Sequence, residues 1–366
     1  MRPNKITIIG LGLIGGSLAR ALHEKLGYDH ITAVDADLRS LESALRDGTI
    51  SVGLQSLDPG IYDSDIIFIC TPVKQAFDYI RTLAENVPDS CIITDVCSTK
   101  EEITRYVDAL PKPPCFVGGH PMAGTEKSGY ASSFAHMFEN AYYILTPCST
   151  TSSDAMDTLT HIVSGIGAIP VIMPADEHDR ATGGISHLPH VVAAALVNLV
   201  RDLDGGSGKM QTLAAGGFKD ITRIASSSPV MWENIVLSNK LRLSELLSQF
   251  KSMLEEFAAN LEDDNSEAIS RFFEEAGRFR DSISAQGNGL IQPISRLIVD
   301  IEDKPGMIGE IATILGKNNI NIKNINVTNS REFEQGCLII ALPDAASVSI
   351  AFDLLVKSGY KVYKNR

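Results

Sequence analysis

Residues 6–15, which read ITIIGLGLIG, combine four strand-forming apolar residues with a Gly-x-Gly-x-x-Gly turn. A helix-forming run follows over residues 17–26, and a second apolar strand, Ile31–Val34, leads directly to Asp35. An acid about 20 residues beyond the last glycine of such a turn is typical of a dinucleotide-binding βαβ unit. The stretch therefore predicts an α/β Rossmann domain near the start of the chain.

Each residue of this turn has a separate use in holding a dinucleotide. Gly10 makes the tight turn, Gly12 lets the backbone approach a pyrophosphate, and Gly15 lets the helix pack closely on the strand. The pyrophosphate would lie at the helix N-terminus, beside Leu13 and Ile14, where free N–H groups and the helix dipole favour negative charge. These five residues are the predicted pyrophosphate site.

Asp35 bears on the choice between the two nicotinamide dinucleotides. A carboxylate at this position would bond to the adenosine ribose hydroxyls and repel a 2′-phosphate. Arg39, four residues later, could still reach such a phosphate. We predict NAD as the cofactor, with NADP as the alternative.

Length, composition and charge limit the classes of protein. At 366 residues the chain exceeds one ordinary core, so two or three domains are expected. A content of 44% hydrophobic and 21% charged residues is typical of soluble globular proteins, and we see no apolar run of membrane-spanning length. The net charge of −13 argues against nucleic-acid and anionic membrane partners. The six scattered cysteines indicate free thiols in a cytoplasmic protein, with no disulfide framework and no metal site.

The patterning divides the chain into three predicted domains. Residues 1–175 alternate short apolar strands with helices, which predicts a mostly parallel sheet covered on both faces. Over residues 176–290 helical spacing dominates, and apolar residues between Leu243 and Leu261 form one face of a long helix. That face could pack within one subunit or form a homodimer interface. Residues 295–366 show the order βαββαβ, typical of a ferredoxin-like domain, after a predicted linker at residues 285–289.

Four short polar segments stand where a Rossmann enzyme would hold its substrate. The first two follow predicted strands, at the carboxyl edge of the sheet, where open α/β folds bind ligands. The other two belong to the helical region, which must fold over that edge to close a site. In chain order they are residues 95–100 (DVCSTK), 119–126 (GHPMAGTE), 186–190 (SHLPH) and 217–223 (GFKDITR).

Together these segments resemble the prephenate dehydrogenases, a family that also includes arogenate dehydrogenases. The resemblance covers the whole chain, and the combination of GHPMAGTEKSG, SHLPH and GFKDITR is specific to it, whereas the glycine turn alone is not. The C-terminal region, with an Asp-x-Pro-Gly turn before its first helix, resembles an ACT domain, a small-molecule regulatory module. The chain has Cys97 where the family pattern has glycine. No chorismate mutase segment precedes the Rossmann region, so no mutase activity is expected.

The resemblance implies an oxidative decarboxylation of prephenate. A hydride leaves ring C4 for NAD while the C4 hydroxyl proton is drawn off, and the C1 carboxylate departs as carbon dioxide. The products would be 4-hydroxyphenylpyruvate, NADH and carbon dioxide. Because aromatisation supplies the driving force, the protein mainly has to orient the C4 hydrogen and polarise the hydroxyl.

His120 is the predicted polarising residue, because neutral imidazole can accept a hydroxyl proton near pH 7. It could instead be a structural histidine at a strand end. By the resemblance, Ser98 would share the hydrogen bond to the hydroxyl, although Ser98 or Thr99 could also cap the helix that starts near Lys100. His187 is expected to pack or cap.

The substrate carboxylates call for local positive charge. Arg223 is the predicted clamp, because a guanidinium can bind a carboxylate with two parallel hydrogen bonds. Asp220 could hold that arginine in place, and Lys219 could add positive charge or simply be exposed. By the resemblance, His190 would contact substrate. Glu126 would pair with a basic residue at the mouth of the site, or remain a solvated glutamate.

The ACT resemblance implies regulation by the pathway end product, L-tyrosine, bound where two ACT domains meet. Such regulation requires that the ligand prefer the less active state. An ACT domain kept only for assembly is the alternative. We expect a homodimer through the helical domain and possibly a larger assembly through ACT contacts. The predicted effector site comprises Asp303, Pro305, Gly306, Met307, Ile308 and Asn321.

Three other functions remain open at this point. An arogenate dehydrogenase would need an acid near the substrate ammonium, and no such acid can be placed from the sequence. A 3-hydroxy acid dehydrogenase would usually carry a catalytic lysine in its helical domain, and the SHLPH and GFKDITR segments argue against it. A sensor that binds NAD and an amino acid without turnover would lack His120, Ser98 or Arg223, and all three are present.

Overall fold

The computed structural model describes residues 3–125, 127–285, 295–302, 304–328 and 337–364. The chain forms two compact units, Met1–Glu256 and Phe257–Arg366. Glu126, Asp303 and all of the predicted linker after Ala285 lie outside the described residues. The predicted division into three domains stays a prediction.

An eight-stranded sheet organises the first unit. Its strands are β1 (Ile6–Ile9), β2 (Ile31–Val34), β3 (Val52–Leu54), β4 (Ile66–Ile69), β5 (Ile92–Asp95), β6 (Phe116–Pro121), β7 (Tyr142–Pro147) and β8 (Ile169–Ile172). They lie in the order β3-β2-β1-β4-β5-β6-β7-β8. Every neighbouring pair is parallel except β6 and β7, which are antiparallel. The predicted Rossmann fold with a mostly parallel sheet is therefore confirmed.

Helices on both faces bury the sheet. They are α1 (Leu13–Leu26), α2 (Leu38–Arg46), α3 (Val73–Asn86), α4 (Glu101–Asp108) and α5 (Ser153–Gly165). Successive residues of a strand point to opposite faces, and β4 shows the result. Ile66 and Phe68 belong to one buried cluster, with residues of α1 and α5. Ile67 and Ile69 belong to a second cluster, with residues of α3 and α4. A continuous apolar strand therefore marks the centre of the sheet.

The rest of the first unit is helical, as the spacing predicts. Its helices are α6 (Ala175–Thr182), α7 (Leu188–Asp204), α8 (Lys209–Leu213), α9 (Gly216–Thr222), α10 (Pro229–Ser238) and α11 (Lys240–Glu262), the last of which crosses the unit boundary. The apolar repeat from Leu243 to Leu261 lies within α11.

A single helical run, Ala175–Asp204, joins α6, a π-helical turn at Gly183–His187 and α7. Among the described residues it is the one run long and apolar enough to cross a membrane by length and composition, which the sequence analysis did not anticipate. Its His178 and Asp179 are buried and bond to residues of β6 and α4, so this part of the run packs within the first unit. The π turn precedes Pro189, which has no N–H to continue the α-helical ladder.

The second unit holds a four-stranded antiparallel sheet in the order β10-β11-β9-β12. Its elements are α12 (Ser266–Ala285), β9 (Ser295–Asp300), α13 (Met307–Lys317), β10 (Asn324–Thr328), β11 (Cys337–Leu342), α14 (Ala345–Lys357) and β12 (Val362–Lys364). From β9 onward the order βαββαβ confirms the ferredoxin-like prediction. The alternation over residues 320–326 predicts a strand, but β10 begins only at Asn324, because Asn319 turns the chain with a φ of 56° and Ile320 packs into the core.

Candidate active site

The glycine turn has the geometry that a bound pyrophosphate needs. Gly10 has a φ of +95°, which favours glycine, and a Cβ on Gly15 would lie 1.9 Å from the Gly10 carbonyl oxygen. A Cβ on Gly12 would meet no described atom within 4 Å, so space is open at the start of α1. No side chain caps this helix end, which leaves backbone N–H groups for an anion. These residues fit NAD, although their contacts with it stay a prediction.

Asp35 is held beside this turn by backbone hydrogen bonds. One carboxylate oxygen accepts the Leu11 N–H at 2.5 Å, and the other accepts the Asp37 N–H at 2.7 Å. Because the acid stands at the end of β2, next to the open space at Gly12, it is placed for the ribose role predicted for it. Arg39 lies exposed in the first turn of α2.

His120 lies within β6 and not in a loop after it. The sequence predicts a strand of only two residues, Phe116 and Val117, but β6 continues to Pro121 because β7 runs antiparallel beside it and pairs Ile144 with His120. With β5, by contrast, β6 pairs only over those first two residues. His120 therefore stands beyond the carboxyl end of β5, at the ligand-binding edge of the sheet.

Asp95 joins the two polar segments that follow β5 and form the end of β6. Its buried carboxylate accepts the Cys97 N–H at 2.9 Å and the Gly119 N–H at 3.1 Å, and it forms an ion pair with buried Lys100. The backbone N–H groups of Cys97, before Ser98, and of Gly119, before His120, are therefore bound to one side chain.

Cys97, which replaces the glycine of the family pattern, is buried and points its sulfur at the Thr71 carbonyl oxygen, 3.6 Å away. Burial, with the negative charge of Asp95, raises the pKa of the Cys97 thiol well above its usual range. The thiol is therefore protonated at neutral pH and is no nucleophile.

His120 is the first of three side chains that are hydrogen-bonded in series. Its Nδ1 lies 2.8 Å from Nε2 of His178, and Nδ1 of His178 lies 2.7 Å from the Asp179 carboxylate. That carboxylate also accepts the backbone N–H groups of Lys100, at 2.7 Å, and Glu101, at 2.9 Å. Asp179 thus caps α4 from a distant helix.

This arrangement corrects the expectation that Ser98 or Thr99 caps the helix. The Thr99 hydroxyl is 2.9 Å from the Ser238 hydroxyl, and α4 has no cap from its own N-cap side chain. Ser98 is half-buried, and the Asp179 carboxylate takes the capping position at the start of α4. Sequence reasoning missed both His178 and Asp179, because the segment DEHDR resembles a solvated, charged first turn of a helix.

His120 is neutral at physiological pH. Burial lowers its pKa well below the usual histidine range, and the neighbouring His178, Lys100 and His187 act in the same direction. A neutral imidazole has one bare nitrogen, so it can accept a proton. This is the chemical property that the predicted role requires.

The SHLPH segment contributes two histidines in different settings. His187 is buried, lies 2.9 Å from the Asn239 side-chain amide, and has its pKa lowered to about 4, chiefly by burial. His190 is half-buried, with its Nδ1 2.8 Å from the Ser186 carbonyl oxygen and its ring stacked on Trp232 at a centroid distance of 3.7 Å. Since a carbonyl only accepts, Nδ1 of His190 is the donor in this contact.

The charged residues of the GFKDITR segment are exposed. Lys219 and Asp220 are exposed on α9, and exposed Arg223 begins the 3-10 turn that follows it. The substrate-binding roles of Arg223, Lys219, His190 and Glu126 stay predictions.

In the second unit, a predicted effector position, Gly306, begins α13 with a φ of +98°. Exposed Pro305, Ile308 and Asn321 and half-buried Met307 are the other described members of that site. Their regulatory role stays a prediction.

Comparison with known proteins gives the same picture over most of the chain. Family models match residues 18–172 (prephenate dehydrogenase, nucleotide-binding domain), 174–275 (prephenate dehydrogenase, dimerization domain) and 295–341 (ACT domain). A prephenate dehydrogenase of Bacillus subtilis is 38% identical over 338 residues, which cover 92% of this chain and 91% of the relative.

Two solved structures are also similar. Prephenate dehydrogenase from A. aeolicus, in complex with hydroxyphenyl propionate and NAD+, is 30% identical with a TM-score of 0.70 and covers 77% of this chain and 98% of its own. Synechocystis arogenate dehydrogenase is 28% identical with a TM-score of 0.69 and covers 76% and 99%. The two proteins are named for different substrates, and they share one fold.

Proposed function

Because this chain belongs to the prephenate dehydrogenase family, we propose that it oxidises prephenate with NAD to 4-hydroxyphenylpyruvate, carbon dioxide and NADH. The observation that carries the proposal is neutral His120 at the carboxyl edge of a Rossmann sheet, with one ring nitrogen bonded to His178. A sensor without turnover would need neither the bare nitrogen nor its support.

The glycine turn and Asp35 bind the cofactor. Backbone N–H groups at the start of α1 hold the pyrophosphate, in the open space at Gly12. Asp35 binds the adenosine ribose and repels a 2′-phosphate. When bound, NAD supplies the hydride acceptor for the hydrogen on ring C4.

His120 and Ser98 act on the C4 hydroxyl. The hydroxyl proton passes to the bare nitrogen of His120 as the C4 carbonyl forms, and Ser98 orients the hydroxyl by a hydrogen bond. A positioned general base of this kind contributes roughly 10² to 10⁴ in rate. His120→Asn should therefore lower kcat by about that factor while KM changes little.

Positive and polar residues of the helical region hold the rest of the substrate. Arg223 binds a carboxylate through two parallel hydrogen bonds, with Lys219 adding charge and His190 contacting the substrate. Glu126 pairs with a basic residue at the mouth of the site. The net charge of −13 makes such a local cationic cluster necessary for an anionic substrate.

The helical region also forms a homodimer. Large apolar side chains stand more than half exposed along α7, α10 and α11, and the dimerization family model covers the same helices. An apolar surface of this extent marks a protein interface. The exposed residues include Leu199, Leu203, Val230, Leu241 and Met253. The exposure of these side chains favours a dimer interface over packing within one subunit. Light scattering of the purified protein would measure the number of subunits in the assembly.

The ACT domain binds L-tyrosine and lowers activity by feedback. The exposed Pro305–Gly306 turn at the start of α13 and exposed Asn321 form the effector surface, which a second ACT domain completes, and that contact enlarges the assembly. Because coupling is reciprocal, tyrosine must bind more weakly when prephenate and NAD are bound.

The proposed location of the enzyme is the cytoplasm.

The test is NADH formation with prephenate and with arogenate, each with NAD and NADP, with and without L-tyrosine. Turnover of prephenate with NAD, lowered by tyrosine, is the expected result. Turnover of arogenate alone, the substrate named for the Synechocystis structure, would keep the fold and cofactor and replace the substrate. Absence of turnover with either substrate would refute the proposal.

A further inference from the structure

Each hydrogen bond between His120 and His178 and between His178 and Asp179 has a donor and an acceptor. Which nitrogen donates bears on catalysis. We propose that His178, oriented by Asp179, sets the tautomer of His120 so that its proton lies on Nδ1 and its bare Nε2 faces the substrate hydroxyl. His178 and Asp179 are positioning residues, since neither contacts the reacting atoms. The inference rests on the role proposed for His120.

Asp179 fixes the first proton in this chain. Its carboxylate accepts the backbone N–H groups of Lys100 and Glu101 at the start of α4, a position where negative charge is favoured. An ionised carboxylate only accepts hydrogen bonds. The nitrogen that lies 2.7 Å away, Nδ1 of His178, must therefore carry a proton and donate it.

The second proton follows from the first. In the proposed arrangement His178 carries one ring proton, on Nδ1, and its Nε2 lone pair accepts a hydrogen bond from Nδ1 of His120, 2.8 Å away. Neutral His120 holds one ring proton, which this bond keeps on Nδ1. Its Nε2 is then bare, and a proton from the C4 hydroxyl can be received there.

Close packing restrains the side chains of His178 and Asp179 in this arrangement. Both are 1% exposed or less. The Asp179 backbone carbonyl accepts the Asn239 side-chain amide at 2.8 Å, which ties α6 to the residue before α11. No solvent rearrangement is needed when His120 gains its second proton, and the Asp179 charge then stabilises the imidazolium through His178.

The test compares three buried variants on α6. His178→Leu removes the acceptor and leaves the Asp179 cap in place, so His120 can take up the Nε2-protonated tautomer. His178→Gln places an amide oxygen near the former Nε2 and restores an acceptor. Thr182→Val is the matched control, since its hydroxyl donates to the His178 carbonyl one turn away and takes no part in the chain.

The expected result is a kcat about 100-fold lower for His178→Leu, with KM and NAD affinity nearly unchanged, because the general base is misprotonated. His178→Gln should recover at least about tenfold of that loss, and Thr182→Val should keep the wild-type kcat. If His178→Leu keeps kcat within about threefold of wild type, or His178→Gln is no better than His178→Leu, the proposal is overturned.

Nitrogen NMR of isotope-labelled histidine tests the tautomers without any substrate. In the wild type, both His120 and His178 should carry their proton on Nδ1, and in His178→Leu the His120 proton should move to Nε2. A wild-type spectrum with either histidine protonated on Nε2 overturns the proposal. Because this readout needs no turnover, it stays informative if the enzyme fails to oxidise prephenate, so the two failures are distinguishable.

Discussion

Lys100→Met should lower the free energy of unfolding of the first unit by about 3 kcal/mol. The side chains of Lys100 and Asp95 form an ion pair with no exposed surface. Methionine keeps the apolar stem and removes the charge, which leaves the Asp95 carboxylate buried without its counter-ion. Breaking a buried pair in this way costs roughly 3 to 5 kcal/mol. The lower end applies because the Cys97 and Gly119 N–H groups still bind the carboxylate.

Urea denaturation would measure the loss. Trp232 is the single tryptophan of the chain and lies in the first unit, so its fluorescence follows that unit separately from the ACT domain. For a unit of this size, a loss of 1 kcal/mol in the free energy of unfolding lowers Tm by roughly 2 to 4 °C. Thermal denaturation should therefore show a drop in Tm of about 6 to 12 °C.

Two further variants separate the buried charge from other effects. Lys74→Met removes an exposed pair with Glu233, whose side chains are 59% and 62% exposed, and should change stability by less than about 1 kcal/mol. Asp95→Asn combined with Lys100→Met removes both charges of the buried pair and should be more stable than Lys100→Met alone. A loss below about 1 kcal/mol for Lys100→Met, or a double variant no more stable than the single, would refute the reasoning.

Three other expectations concern the site. Asp35→Ala should weaken NAD binding and narrow the preference for NAD over NADP in kcat/KM; an unchanged preference would assign it to another residue. Because burial lowers the pKa of His120 below 6.5, its neutral form persists as the pH falls through that value. The kcat/KM profile should therefore stay level there and fall only at more acidic pH, and a fall centred at or above pH 6.5 would contradict this. Arg223→Gln should raise KM by about tenfold or more with a smaller change in kcat, and an unchanged KM would remove Arg223 from the substrate site.

The Rossmann half was predictable because its signals are local. The glycine turn, the helix and Asp35 lie within one βαβ unit, and each step follows from neighbouring residues. The extent of β6 was not predictable, since Gly118, Gly119 and Pro121 have low strand propensity. Pairing with β7 holds them extended, and that pairing comes from more than twenty residues further along the chain.

Residues with the chemistry to act on a ligand can be proposed from the sequence, whereas the residues that support them cannot. A group that binds a carboxylate or takes a proton must have a particular chemistry, so Arg223 and His120 stand out in the sequence. His178 and Asp179 do not, because their surroundings come from 58 and 79 residues away. Burial and partners at that separation are properties of the fold, and no local pattern carries them.

Two buried carboxylates account for the local structure around Ser98. Asp95 binds the N–H before this residue, at Cys97, and Asp179 binds the two N–H groups after it, at Lys100 and Glu101. Backbone N–H groups on both sides of Ser98 are thus bound by carboxylates, and Ser98 does not have to cap α4 itself. Its hydroxyl can then serve the substrate. The same arrangement explains why Cys97 can stand where the family has glycine: Asp95 binds its backbone N–H, and its side chain is buried in the core.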